Sequence, residues 1–156
     1  MVKDRGTGEP NQELAALKKR VAELEQTLQN ERETFGTIIQ KSPYGVLLLG
    51  EKGKFIYINP EFVRVTGYAL EDVPTGKEWF RKAFPDGEYR KKVIETWKSD
   101  MAANVRGSAR VFHIACRDGS TKVLEFRAAR IDERRAMVML TDITDRKRIE
   151  YALIES

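Results

Sequence analysis

Two side chains are the first candidates for chemistry, because each is the only one of its type in the chain: His113 and Cys116. A histidine can serve as an axial ligand of haem iron, and a cysteine can act as a reactive thiol. The two lie close together in a stretch of β-forming residues. We recognise no nucleophile beside a base and no pair of carboxylates, so we predict a protein without catalytic activity and without a metal site.

The composition indicates one globular domain with some additional chain. Of the 156 residues, 41% are hydrophobic and 33% are charged, and the formal net charge is +4. So mild and dispersed a charge argues against nucleic acid as a partner. The chain lacks the roughly 18 to 20 consecutive apolar residues of a membrane span and an apolar signal segment, so we expect a cytoplasmic protein. A single cysteine excludes an internal disulfide and a cysteine-rich zinc site.

The amino-terminal part carries a heptad pattern typical of a coiled coil. We expect residues 1–12 to be disordered or a linker and residues 13–41 to form a long amphipathic helix. Opposite charges at Glu13 and Lys18, and at Arg20 and Glu25, would face each other between two parallel copies in register. The pattern favours a parallel homodimer; the alternative is a single helix packed on its own domain. The predicted interface consists of Leu14, Leu17, Val21, Leu24, Leu28, Phe35 and Ile38.

The remainder of the sequence predicts an α+β domain, because two strands come first, several helices follow, and three strands come last. Segments 45–50 and 55–58 read as a hairpin that leads directly into a short helix, with Asn59 as N-cap and Gly67 at the end. Short helical pieces are expected at 70–73 and 78–83. A longer helix is predicted from Tyr89 to Val105, ending at Gly107. Strands are predicted at 109–117, 122–130 and 135–141.

Alternation along these strands predicts an apolar cavity under the helices. Arg110 is the one charged residue on the inward face; it could contact an anionic ligand, or it could reach solvent or pair with a carboxylate. The last strand is apolar on both faces, so its outward residues Met137 and Met139 should be covered by the leading helix or by a partner subunit, and we include them in the predicted dimer interface. The candidate lining residues are Trp97, Met101, Arg110, Phe112, Ile114, Leu124, Phe126, Val138 and Leu140.

Three motifs carry a resemblance to a known family. They are GKFIYIN at 53–59 followed by TGY at 66–68, the turn RDGS at 117–120, and DITDRK at 142–147. With them, residues 42–144 resemble a PAS domain, the sensory module of bacterial and archaeal signalling proteins. The resemblance implies a PAS fold, in which a five-stranded antiparallel sheet with helices on one face encloses a small-molecule cavity. It also implies that a ligand, redox or light signal passes along the flanking helices to a histidine kinase, a diguanylate cyclase or a similar effector, which we expect outside this segment.

The resemblance also bears on the cofactor and on the signal. Haem-binding relatives take their ligand from the long helix, where this chain has no histidine, and flavin-thiol photosensors carry their cysteine in a short helix. We therefore expect neither haem nor a covalent flavin, and the ligand is unknown. In the family, the residues matching Asp142 and Thr144 tie the last strand to the outgoing helix, here expected at 145–156. The alternative is a PAS domain without a ligand that serves dimerisation or protein docking.

Overall fold

The computed structural model describes residues 5–103 and 108–155, which form two compact units that divide between residues 39 and 40. The helices are α1 (Arg5–Lys41), α2 (Pro60–Thr66), α3 (Gly76–Ala83), α4 (Gly87–Ala103) and α5 (Thr144–Glu155). The strands are β1 (Gly45–Leu49), β2 (Phe55–Ile58), β3 (Arg110–Ala115), β4 (Thr121–Arg130) and β5 (Ala136–Asp142). No helix in the described ranges is long and apolar enough to cross a membrane.

Helix α1 begins earlier than the sequence suggested. Residues 5–12 were expected to be disordered or a linker, and this prediction is wrong for the part that is described. Pro10 removes one backbone hydrogen bond, but extending an existing helix costs much less free energy than starting one. The seven apolar residues of the heptad pattern are about half exposed, from 48% at Leu28 to 63% at Leu17. Residues 1–4 and 156 lie outside the described residues.

The five strands form one antiparallel sheet, as predicted, and the structure shows their order to be β2-β1-β5-β4-β3. Strand β5 is central and pairs along its length with β1 and with β4. The register places Leu47 opposite Val138 and Phe126 opposite Leu140, so side chains of one face come from several strands. The face that includes Leu47, Val138 and Leu140 contributes to the hydrophobic core. Thus alternation identified the inward face correctly.

The corner between β2 and α2 is organised by the side chain of Asn59, which is completely buried. Its Oδ1 accepts hydrogen bonds from the backbone N–H groups of Phe62 (3.0 Å) and Val46 (2.8 Å), and its Nδ2 donates to the carbonyl of Tyr44 (2.9 Å). Asn59 is therefore both the predicted N-cap of α2 and a link to the neighbouring strand β1. At the other end of α2, Gly67 adopts a left-handed conformation with φ of 78°.

The segment between α2 and α4 contains one helix rather than two. Helix α3 confirms the piece expected at 78–83, whereas residues 70–72 form a turn in which the Asp72 carboxylate accepts a hydrogen bond from the Ala69 N–H (2.9 Å). The Asp72 and Val73 N–H groups donate to the Ala69 carbonyl at 3.0 and 3.3 Å. Pro74, which has no N–H, prevents this turn from continuing as a helix. The predicted end of α4 at Val105 and its exit at Gly107 lie outside the described residues.

Candidate functional site

The inner face of the sheet, together with α3 and α4, surrounds a cavity of about 730 Å³. This volume is within the range of roughly 300 to 1,000 Å³ that is usual for small-molecule sites. The walls are apolar and rich in aromatic rings. They are formed by Leu47, Leu49, Phe55, Phe62, Trp79, Phe80, Phe84, Val93, Ile94, Trp97, Met101, Phe112, Phe126, Ala128, Ala136 and Val138.

Six of the nine predicted lining residues border this cavity and three do not. Those on the wall are Trp97, Met101, Arg110, Phe112, Phe126 and Val138. Ile114, Leu124 and Leu140 face inward as expected but are at most 1% exposed, inside the packed core rather than on the cavity wall. For Leu140 the reason for this burial is close packing. Its side chain lies against Gly45, and the backbone of α2 at Phe62 approaches the same point. These three candidates are corrected to core residues.

Arg110 forms a bidentate ion pair at the mouth of the cavity. Its Nε and one terminal nitrogen donate to the two carboxylate oxygens of Asp100 at 2.9 and 2.7 Å, which joins β3 to α4. The Arg110 guanidinium, chiefly through this hydrogen bond, lowers the pKa of the Asp100 carboxyl. The sequence left open a ligand contact, exposure to solvent and pairing with a carboxylate for Arg110. In the structure it pairs with Asp100, and its side chain is 45% exposed.

The junction between β5 and α5 is held by the side chains of Asp142 and Thr144. Oδ1 of Asp142 accepts a hydrogen bond from the Thr144 N–H at 2.9 Å, which satisfies a free amide at the start of α5. The Thr144 hydroxyl oxygen accepts a hydrogen bond from the Val123 N–H of β4 at 3.0 Å. The start of α5 is therefore attached to β4 as well as to β5.

Lys122 connects this junction to helix α2. Its Nζ donates a hydrogen bond to the carbonyl of Val65 at 2.8 Å, in the last turn of α2, and lies 3.9 Å from Oδ2 of Asp142. A lysine near a helix C-terminus binds carbonyls that have no partner within the helix. Lys122 and Val65 are far apart in sequence, and no local pattern brings them together. Sequence reasoning missed this contact.

Comparison with known proteins identifies the family of this chain. Residues 39–148, more than half of the sequence, match the family model described as PAS fold. The chain belongs to the PAS family. No curated protein matches the sequence.

Solved PAS domains share the fold at low sequence identity. One is the PAS domain of an HTR-like protein from Haloarcula marismortui, with 20% identity and a TM-score of 0.58, covering 78% of this chain and 99% of that one. A sensory box histidine kinase/response regulator from Burkholderia thailandensis has 22% identity and a TM-score of 0.57, with coverages of 76% and 91%. The N-terminal domain of a diguanylate cyclase with PAS/PAC sensor from Marinobacter aquaeolei has 14% identity and a TM-score of 0.58, with coverages of 67% and 98%.

The two residues that first suggested chemistry are separate from the cavity of the PAS domain. His113 is exposed on β3, and its backbone N–H donates to the Tyr89 hydroxyl at 2.9 Å. Cys116 is buried just beyond β3, where its Sγ lies 3.6 Å from the Val65 carbonyl oxygen. Neither residue is on the cavity wall. In the ranges 5–103 and 108–155, no group of three or more His, Cys, Asp or Glu residues could hold a metal ion.

Sequence reasoning also missed the aromatic residues that α3 contributes to the wall of the PAS cavity. Trp79 packs at 5.5 Å between ring centroids from Phe62 and at 6.1 Å from Phe84, so these rings form one continuous surface. Burial raises the pKa of Tyr68, which lies edge-on to Trp79. The cluster of aromatic residues at 79–84 was a visible signal, but its orientation depends on how α3 packs.

Proposed function

We propose that this PAS domain binds a small molecule in its cavity and transmits the signal through α5 to an effector. The effector is a histidine kinase or a diguanylate cyclase, the classes of protein in which similar PAS domains occur. The observation that carries the proposal is the series of contacts from the cavity wall to the first turn of α5. The alternative is a PAS domain without a ligand that serves dimerisation or protein docking. Such a domain would not need a series of contacts from its cavity to α5.

The series of contacts passes through α2. Phe62 forms part of the cavity wall, and Val65, one turn later in the same short helix, accepts the hydrogen bond from Lys122. Lys122 lies beside Asp142, and Asp142 holds the Thr144 N–H. A ligand that displaces Phe62 would move α2. The other end of α2 contacts Lys122, which lies beside Asp142 just before the start of α5. Asp142 and Thr144 are therefore the proposed relay residues.

We further infer that the protein is a parallel homodimer through α1. In a single chain the apolar residues of the heptad pattern are about half exposed to water. The α1 helix of a second copy would cover them with the same apolar residues. In the PAS unit, Met137 and Met139 are half-buried on the outward face of β5, where a second surface would cover them.

The relay is tested with a fusion of the full chain to a histidine kinase catalytic domain, joined in helical register with α5. Replacing Ala128 with phenylalanine occupies part of the cavity, as a bound ligand would. We expect this substitution to change the autophosphorylation rate about fivefold, a coupling of ordinary size. Adding Asp142→Ala should abolish that change while lowering the free energy of unfolding by only about 1 kcal/mol, the usual value of a lost helix cap.

Asp145→Ala is the matched control for this experiment. It removes the same type of side chain three residues later, from a position whose side chain is 93% exposed. The fusion that carries Ala128→Phe and Asp145→Ala should keep the fivefold change. If the variant with Asp142→Ala also keeps it, Asp142 is not a relay residue. If Ala128→Phe alone has no effect on kinase activity, the cavity does not regulate the effector.

The dimer is tested by light scattering of the purified chain. Replacing Leu17 and Leu24 with glutamate puts like charges in the apolar interface, so we expect the mass to fall from that of a dimer to that of a monomer. The matched control is Ala15→Glu with Ala22→Glu, which adds the same charges on the opposite side of α1 and should leave the dimer intact. A wild-type chain that stays monomeric at high concentration would contradict the inference.

A further inference from the structure

The inner wall of the cavity offers a ligand almost no hydrogen bonds. The polar side-chain atoms of its uncharged residues are the indole N–H groups of Trp79 and Trp97 and the hydroxyls of Thr96 and Ser108. The Thr96 hydroxyl already donates to the Lys92 carbonyl at 3.0 Å. Asn59 and Thr66, the buried polar residues of the described chain, lie outside the wall and already make hydrogen bonds. A ligand with several polar groups in its buried part would leave them unpaired, at a cost of about 1 to 3 kcal/mol each. The buried part of a ligand must therefore be apolar.

The mouth of the cavity, in contrast, is lined by charged side chains in which basic residues predominate. The acidic ones are Glu51, Asp100, Asp132 and Glu133, and the basic ones are Lys52, Lys77, Lys98, Arg110, Arg130, Arg134 and Arg135. Three arginines are each paired with a carboxylate: Arg110 with Asp100, Arg134 with Glu51, and Arg135 with Asp132. A fourth, Arg130, donates to the carbonyl of Met101 at 3.2 Å.

The three lysines at the mouth form no ion pair with any carboxylate of the described residues. Two of them, Lys52 and Lys77, lie on adjacent segments. Lys54 and Thr75 form an antiparallel bridge, and the Phe55 N–H donates to the Pro74 carbonyl at 2.9 Å, so the turn of Lys52 lies beside the start of α3 at Lys77. One side of the mouth is therefore lined by two lysines.

We propose that the ligand of this PAS cavity is an amphiphilic monocarboxylic acid. Its apolar body occupies the aromatic cavity, and its carboxylate lies at the mouth beside Lys52 and Lys77. The two lysines carry the positive charge that attracts a carboxylate, whereas the charge of Arg110 is already neutralised by Asp100. This inference rests on the proposed function, because it names the class of ligand for the same cavity.

The charge selection is tested with decanoate, 1-decanol and decylamine, which share one apolar chain and differ in the head group. Binding to the full chain is measured by isothermal titration calorimetry, below the micellar concentrations of decanoate and decylamine and below the solubility limit of 1-decanol. We expect decanoate to bind tightest and decylamine weakest. The double variant Lys52→Ala, Lys77→Ala should weaken decanoate about three- to tenfold, as expected for two partly exposed ion pairs, and leave 1-decanol unchanged.

Two further variants serve as controls. Lys91→Ala with Lys92→Ala removes the same charge from exposed positions of α4 outside the cavity, and should leave the affinity for decanoate unchanged. Ala128→Phe reduces the space in the cavity and should weaken both decanoate and 1-decanol. Decanoate binding that Ala128→Phe does not weaken would occur on the surface of the protein, and would overturn the proposal.

The remaining outcomes distinguish this proposal from the proposed function. If 1-decanol binds as tightly as decanoate, or if the Lys52 and Lys77 variant binds decanoate normally, the cavity takes apolar ligands without selecting a carboxylate, and the proposal is wrong. If no compound binds while Ala128→Phe still changes kinase activity in the fusion, the relay stands and the amphiphilic acid is excluded.

Discussion

Replacing Asn59 with alanine is expected to lower the free energy of unfolding by about 3 kcal/mol, with an estimated contribution of about 1 kcal/mol from the lost cap of α2. The rest arises because the Val46 N–H loses the Asn59 Oδ1 acceptor, and an unsatisfied buried N–H costs about 1 to 3 kcal/mol. The substitution thereby loosens both the start of α2 and the strand β1. For a domain of this size the midpoint of thermal unfolding should fall by roughly 10 °C.

Circular dichroism during heating, with chemical denaturation at a fixed temperature, measures the effect of Asn59→Ala. Asn30→Ala is the matched control, since Asn30 is exposed on α1 and its side chain only accepts a hydrogen bond from Gln26. That variant should unfold within about 0.5 kcal/mol of the wild type. A loss of less than 1 kcal/mol in Asn59→Ala would show that water replaces the buried hydrogen bonds.

Leu124→Ala is expected to destabilise the domain by about 3 to 5 kcal/mol, the usual range for a leucine that is completely enclosed. Leu124 is 0% exposed and does not border the existing cavity, so the substitution creates a new void that the packed core closes only in part. Met101→Ala, at the cavity wall, should cost only about 1 kcal/mol. Its side chain already has empty space on one side, and its removal enlarges a cavity that exists.

Chemical denaturation of the two variants tests this division between core and cavity wall. The comparison is matched, because methionine and leucine lose a similar volume on replacement with alanine. Equal losses of stability would contradict the assignment of Leu124 to the core and of Met101 to the wall. The ligand offers a second check, because decanoate should stabilise Leu124→Ala by as much as it stabilises the wild type.

Much of the fold could be predicted from the sequence, because its signals are local. The alternation of apolar residues identified the inward face of β4, and the succession of Asn59, Pro60 and Gly67 marked the start and end of α2. The start of α1 was predicted too late, since glycine and proline are weak evidence against a helix that is already formed. The turn at 70–72 was mistaken for a helix because it closes once on the Ala69 carbonyl, and Pro74, which has no N–H, allows no second turn.

The sequence by itself determined which residues face inward, because strand and helix periods are properties of the backbone. Only the tertiary structure decided which inward residues are core and which border the cavity, since that depends on where α2, α3 and α4 cross the sheet. Leu124 and Phe126 lie on the same face of β4, yet Leu124 is completely enclosed and Phe126 lines the cavity. The contact of Lys122 with Val65 was likewise decided by packing, because it joins elements that are distant in the chain.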